Sequence, residues 1–472
     1  MPDPEQRLPK RLVPLIVACA LFMENLDSSI LATALPAIAS SLHENPLRLS
    51  LAISSYLLSL AVFIPVSGWI ADRHGARRVF RTAIVVFTLG SICCALAQNT
   101  GALVAARALQ GMGGALMVPV GRLVVLRRIP KQDMVAAMAW ITIPALVAPI
   151  VAPLVGGVIA TYTSWRWIFL INVPIGVLGY GLVTRYITEQ DVGRPRPMDF
   201  RGWAILSTGL TTLVFAAEII GKGILPPAAT AALVCTGLVA LGGYALHSRR
   251  EPHPVLQLSL LKLATFRGSA IGGNLFRVAA GASSFLMPLM LQAGFGMTAA
   301  ASGSLTFAGA VGALLMRTRA SQIVRRFGFR RVLVADALLA SLLLAACAAL
   351  TAGTPRLLML LLFTAIGFSR SIMFTCVNTM GYADVNEREM SNATSFAGTA
   401  QQLALTVGVA IAAQVLHVAA LLRGSDVAEA PDFPVAFLLI AVISVLSTFA
   451  FWRLPPGAGS SVSGHIVPAG RA

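Results

Sequence analysis

The chain is poor in the groups that water-soluble enzymes rely on. Only 12% of its 472 residues are charged, against 57% hydrophobic, and the mean hydropathy is +0.79. Too few polar side chains remain to cover a soluble surface, which excludes large soluble domains. Its six cysteines (Cys19, Cys93, Cys94, Cys235, Cys347, Cys376) all fall in apolar stretches, with no CxxC pair and no histidine at zinc-binding spacing. They read as small packing residues, and no metal site is expected. The six histidines include no HExxH, and His43, His247, His253 and His417 are scattered, which argues against a membrane-embedded enzyme. No GxxxxGK[ST] occurs, and Gly111-Met-Gly113-Gly114 sits in an apolar run with no strand before it, which argues against ATP-driven pumping by this chain alone.

What is present is apolar sequence in long blocks. Fourteen segments stand out, at 12–34, 50–71, 80–98, 101–125, 134–160, 167–187, 202–220, 228–247, 269–292, 298–316, 332–352, 357–380, 391–420 and 434–452. Their length suits helices crossing a bilayer rather than barrel strands, which would alternate with a period of two. The net charge of +17 would suggest nucleic acid in a soluble protein, but its placement indicates the membrane instead. With the N-terminus inside, the outer loops hold only Arg48, Arg166, Lys222, Arg356 and Arg423 of the 36 Lys and Arg. That asymmetry follows the positive-inside rule and places both termini in the cytoplasm. Arg7, Lys10 and Arg11 precede a first run too long for a signal-peptide core, so it reads as a retained helix.

One phrase is written twice, as Ile70-Ala-Asp72-Arg73-His-Gly75-Ala-Arg77-Arg78-Val79 and Ile323-Val-Arg325-Arg326-Phe-Gly328-Phe-Arg330-Arg331-Val332. A fixed-offset repeat between apolar blocks marks two related halves, the plan of many secondary transporters. Ionisable residues inside the blocks are then the functional candidates, because each costs about 2.5–3.5 kcal/mol to insert. Glu24 and Asp27 lie three apart on one helix face, an arrangement suited to holding a proton. Arg107 cannot carry the proton itself but can govern a neighbouring carboxylate or hold an anion. In the second half Arg277 and Arg370 lie within blocks, with Glu24, Asp27, Glu218 or an anionic substrate as possible partners. The stretch from Phe363 to Phe374, rich in aromatics, reads as core.

Several phrases resemble, in order, the signatures of the major facilitator superfamily, and specifically its 14-helix drug:proton antiporter branch of the EmrB and QacA type. They are Leu26-Asp27-Ser-Ser-Ile30-Leu-Ala-Thr-Ala34-Leu35-Pro36, Gly68-Trp-Ile-Ala-Asp72-Arg73-His-Gly75-Ala-Arg77-Arg78, and Arg107-Ala-Leu-Gln110-Gly111-Met-Gly113-Gly114-Ala115. Trp165-Arg166-Trp167-Ile-Phe169-Leu-Ile171-Asn172-Val-Pro174-Ile-Gly176 and Pro288-Leu-Met-Leu-Gln292 belong to the same set. The branch's GxxxGPxxGG phrase departs here, reading Ala148-Pro-Ile-Val-Ala152-Pro153-Leu-Val-Gly156-Gly157 with both leading glycines lost.

The resemblance implies an all-α membrane fold of two six-helix bundles (1–187 and 269–453), a linker with two inserted helices (188–268) and a disordered tail (454–472). It implies proton coupling through Asp27, Glu24 and Arg107, and a gating loop of Gly68, Asp72, Arg73, Gly75, Arg77 and Arg78. Asp72 would bond across helix ends while the three arginines stay in the headgroup zone, and with Arg325 in place of the acid the second copy would not act as a latch. Pro153, Gly156 and Gly157 would pack a helix tightly, and Glu218, Arg277 and Arg370 would line the substrate cavity. The function expected is export of small molecules in exchange for protons, across a bacterial inner (cytoplasmic) membrane. The substrates expected are amphipathic drugs, or alternatively small organic anions such as citrate. No cofactor beyond the proton gradient and no nucleic acid is called for; the partners are substrate, protons and lipid, with a monomer as one option and the oligomeric state and accessory envelope proteins left open.

Overall fold

Pro65 interrupts the second apolar block, and in the computed structural model the chain bends there by 59° between Leu51–Phe63 and Ser67–His74. Proline removes a backbone donor and blocks the preceding turn, so a break at this point is what the sequence dictates. The structure describes residues 12–43, 46–188, 197–219, 225–316, 319–425 and 429–465, with the side chains of some helical positions left aside.

A helix lies over every apolar block, as expected where backbone groups have no water to bond. The first part of the chain holds α1 (Leu12–Leu42), α2 (Pro46–Phe63), α3 (Ser67–His74), α4 (Ala76–Leu96), α5 (Thr100–Arg128) and α6 (Met134–Tyr162). Next come α7 (Arg166–Leu170), α8 (Asn172–Tyr186), α9 (Phe200–Ile219), α10 (Pro227–Arg250), α11 (Ala264–Leu289) and α12 (Ala299–Met316). The chain then forms α13 (Ala320–Cys347), α14 (Arg356–Met380), α15 (Met390–Leu422), α16 (Phe433–Trp452) and α17 (Ser460–Ser463). No strand occurs among the described residues.

Among the described residues, ten helices are long and apolar enough to cross a membrane, or eleven when the bent α2–α3 pair is taken as one span. Three of the fourteen apolar blocks, those of α6, α12 and α13, are not among these spans. The described apolar part of α12 is short (Ala301–Met316), and α13 carries Arg330, Arg331 and the buried Asp336. Much of α6 has side chains outside those described. The outward faces are those of a protein wrapped in lipid: α16 exposes Val435, Leu438, Val442, Leu446 and Phe449 in one stripe and buries Phe433, Phe437, Ile440 and Ser444 on the other.

The chain divides into two compact units. One comprises residues up to Met198 with Glu387–Ser395, and the other comprises Asp199–Asn386 with the residues from Phe396 onward. In the first, α5 packs on α2 and α4, and α1 on α6. A core of Leu26, Ile30, Leu103, Trp165 and Phe169 fills the space among them. In the second, α12 packs on α14, α16 on α11 and α13, and Phe363, Phe433 and Phe437 sit in the core. The α9–α10 pair forms a hairpin within this unit.

Both copies of the repeated phrase turn on a glycine with positive φ, Gly75 at 87° and Gly328 at 75°, a conformation that L side chains avoid. The tail differs from the disorder expected of its composition. Residues 455–465 turn back onto α13, with Val462 buried and His465 Nδ1 3.0 Å from the Arg325 carbonyl. The anchoring contacts are supplied by apolar and backbone groups that composition alone does not reveal. Residues 466–472 lie outside the described part.

Candidate functional site: a buried charge network in the first unit

Glycine determines which helices can meet at Arg107. A Cβ on Gly113 would stand 2.5 Å from the Phe87 amide nitrogen and 2.8 Å from the Ala83 carbonyl oxygen of α4, and one on Gly111 would stand 2.8 Å from the Tyr56 carbonyl oxygen of α2. Such small-residue contacts let backbones approach where lipid offers no hydrophobic drive. They bring α2 and α4 against the helix that carries Arg107 and Gln110.

The side chains converge on Asp27 of α1. Arg107 Nη1 donates to Asp27 Oδ2 at 2.5 Å and to Gln110 Oε1 at 2.6 Å. Gln110 Nε2 donates to Asp27 Oδ1 at 2.8 Å and to Ser91 Oγ at 2.6 Å. Asn172, at the start of α8, donates to the same Asp27 oxygen at 2.8 Å and to Ser91 at 3.2 Å. The side chains of Arg107 and Asp27 are 1% and 0% exposed, so this is a desolvated ion pair fixed by three further polar residues. Among the described residues Arg107 Nε and Asn172 Oδ1 have no hydrogen-bond partner, so the network is not fully satisfied.

Glu24 is buried one turn away with partners of its own. Tyr56 OH donates to Oε1 and Asn25 Nδ2 to Oε2, each at 2.9 Å. The Tyr56 ring also faces the guanidinium of Arg107, 4.3 Å from its centroid, and so touches both acidic neighbourhoods. The two carboxyls therefore share a helix face but are held by separate sets of groups.

At the far end of α5, Arg127 Nη2 donates to Asp72 Oδ1 at 2.9 Å, and Ser391 Oγ donates to the other Asp72 oxygen. The backbone of Gly68 donates to Ser395 Oγ at 2.7 Å, and a Cβ there would collide with the Ser391 carbonyl and the Ser395 hydroxyl at the start of α15. Asp72 thus does bond across helix ends. Of the arginines, Arg77 is half-buried and donates to the Thr184 carbonyl at 2.5 Å. Arg73 lies over Trp69, 5.3 Å from its ring centroid, and Arg78 is exposed.

In the second unit Arg277 is buried and donates to the side-chain oxygens of Asn274 at 2.9 Å and Asn378 at 2.7 Å. Arg370 donates to Ser284 Oγ at 2.8 Å, and both arginines lie 5.8 Å from the Phe374 ring centroid. Phe374 therefore carries two cations at its ring and is more than core filling. Asp336 of α13, inside the 332–352 block, is buried with Oδ2 unbonded among the described residues. Gly156 is buried on α6; Pro153 and Gly157 of α6 and Glu218 of α9 have side chains outside those described.

The model of the Major Facilitator Superfamily matches residues 17–409 and 270–466. A protein of Yersinia enterocolitica that carries the provisional name multidrug resistance protein MdtD is 38% identical over 452 residues, covering 94% of this chain and 95% of that protein. Its Escherichia coli namesake is 38% identical over 449 residues, covering 93% and 94%. The stretch from Phe285 to Phe295 carries the same likeness in the sequence. Among solved structures, the human organic anion transporter MFSD10 aligns with a TM-score of 0.67 at 15% identity, covering 94% of this chain and all of that one. The proton:xylose symporter XylE aligns at 0.65 and 14%, covering 96% and 97%. At such identity these two structures speak to the fold alone.

Proposed function

Because the chain belongs to the major facilitator superfamily and is thus a multi-pass membrane transporter rather than an enzyme, we propose that it exports amphipathic small molecules in exchange for protons. The observation that carries this reading is the desolvated Asp27–Arg107 pair held by Gln110, Asn172 and Ser91. The multidrug naming of relatives 38% identical supports the choice of amphipathic substrates.

In the proposed cycle a proton from outside neutralises Asp27 and releases the hold of its carboxylate on Arg107. The freed guanidinium repacks α5 against α1, and proton release inside restores the pair. Glu24 serves as a second acid one turn away. The loop at Asp72 acts as a gate whose bonds to Arg127 and to Ser391 at the start of α15 break and reform. The proposal includes fourteen spans, two six-helix bundles with α9 and α10 inserted, and a bacterial cytoplasmic membrane with both termini inside. The asymmetric placement of Lys and Arg supports that orientation.

The test is export from proteoliposomes under an imposed pH gradient, with a lipophilic fluorescent dye as substrate. Wild type should move dye uphill, and Asp27→Asn should lose uphill movement with the protein still inserted. Normal uphill export by that variant would remove the proton role from Asp27, whereas simple dissipation of a dye gradient by wild type would indicate a channel.

A further inference from the structure

Outside the network just described, one group of metal-binding side chains comes together among the described residues of the second unit. Asp199, just before α9, meets His247 in the last turn of α10 and Glu251 one residue beyond that helix. His247 Nε2 lies 2.9 Å from Asp199 Oδ1 and 3.0 Å from Oδ2. One ligand atom from each of the three residues falls within 4.8 Å of the other two. Asp199 and His247 are 48 positions apart, so their meeting is not visible in the sequence.

The surroundings fix these groups more firmly than a chance surface cluster. The Asp199 side chain is 3% exposed and that of His247 is 22% exposed. The Gly202 amide donates to Asp199 Oδ1 at 2.7 Å, which orients the carboxylate. His247 and Glu251 are four residues apart, so they share a face at the helix end, and the Glu251 amide donates to the His247 carbonyl at 3.0 Å. The segment after Glu251 is tied back to α10 by Tyr244, whose hydroxyl donates to the Leu256 carbonyl at 3.0 Å and accepts from the Leu256 amide at 2.7 Å. The neighbouring Arg201, Arg249 and Arg250 are exposed to solvent.

Metal–nitrogen and metal–oxygen bonds of about 2.0–2.1 Å put adjacent ligand atoms about 2.9–3.4 Å apart, depending on coordination geometry. The Asp199–His247 spacing already meets that requirement, and a Glu251 carboxylate oxygen lies within 4.8 Å of both ligand atoms. One imidazole nitrogen and two carboxylate oxygens suit zinc, manganese or cobalt; the imidazole disfavours magnesium and calcium, and the lack of sulfur disfavours monovalent copper. Two carboxylates would also neutralise a divalent charge, with water completing the coordination.

We propose that Asp199, His247 and Glu251 bind a divalent first-row transition-metal ion that ties the start of α9 to the end of α10. The inference stands independently of substrate and proton coupling. Equilibrium dialysis of the untagged full-length protein in detergent against zinc, with metal counted by mass spectrometry, tests it. The absorption spectrum of bound cobalt gives a second readout.

Wild type should take up one equivalent, saturating well below millimolar zinc, with a rise in melting temperature that a chelator reverses. Glu251→Gln leaves the Asp199–His247 contact in place and so should fold, yet it should bind zinc at least tenfold more weakly and lose the melting shift. His247→Gln should behave alike, while His253→Gln, at a neighbouring exposed histidine, should bind as wild type does. Equal uptake by all four proteins, or uptake only at millimolar zinc, would mean an adventitious ion only and would overturn the proposal. Equal uptake by wild type and Glu251→Gln alone would also overturn it, since the ion would then lack its third ligand.

Discussion

Replacing Asp27 by asparagine changes few atoms but reverses a hydrogen bond where there is no water to compensate. The new side chain could still accept from Gln110 and Asn172 through its carbonyl oxygen, but its amide would then face Arg107 Nη1, donor against donor, at a site where Arg107 is 1% exposed. Removing one partner of a buried ion pair costs about 3–5 kcal/mol, most of it from the charge left behind. Arg107→Met should cost a similar amount for the converse reason, stranding the Asp27 carboxylate. The double variant Asp27→Asn/Arg107→Met strands neither charge, so its loss should be close to that of one single variant rather than the sum of two. The coupling energy should therefore be about 3 kcal/mol or more, at the top of the range for residues in direct contact. Unfolding free energies from sodium dodecyl sulfate titration in mixed micelles would measure all four corners of the cycle. Additivity within about 0.5 kcal/mol, the behaviour of independent sites, would refute the claim that these two charges exist for each other.

Gly113→Ala should destabilise by about 1–3 kcal/mol through overpacking, because its new methyl meets backbone atoms of Phe87 and Ala83 that cannot turn aside; melting temperature in detergent reads this. Tyr56→Phe should cost about 1–3 kcal/mol by leaving Glu24 Oε1 without its donor, and Tyr56→Leu more, because only phenylalanine keeps the ring beside Arg107; equal melting losses would discount the ring. Asp72→Asn should alter stability by about 1 kcal/mol or less, since the Asp72–Arg127 pair is 33% and 20% exposed. It should nevertheless slow dye export in proteoliposomes, and a melting loss as large as that of Asp27→Asn would contradict this account.

Charge inside an apolar block was the part of the site that could be read without coordinates. Asp27 and Arg107 stood out because nothing else in their blocks explains the insertion cost, and the structure places them in direct contact across 80 positions. Gln110, Asn172, Ser91 and Tyr56 give no such signal in the sequence, because neutral polar residues in a helix reveal a role only once the helices are packed. Asp336 escaped because it follows Arg330 and Arg331 closely and so reads as part of a membrane border. The partners of Asp72 were equally hidden: Ser391 lies 319 positions away, and serine is unremarked at the start of any helix. The order of helical segments follows from local chemistry and is visible in the sequence, whereas the break at Pro65 falls inside a block, 50–71, that reads as one span. The ordered tail depends on a distant backbone carbonyl, that of Arg325, and so is not visible there.

Helix α5 carries Arg107 near one end, Arg127 at the other, and Pro119 between them. Twenty residues at 1.5 Å each separate the two arginines by about 30 Å, so the same rod touches both the charge pair and the Asp72 loop. Pro119 withholds one rung of the hydrogen-bond ladder along that rod and makes it the most compliant point of the shaft. The helix therefore behaves as a lever with a built-in flexure, and its stiffness is a variable separate from the strength of either contact. Variants at Pro119 that leave both arginines paired could still disconnect one end from the other, a transmission fault that binding measurements at either end would miss.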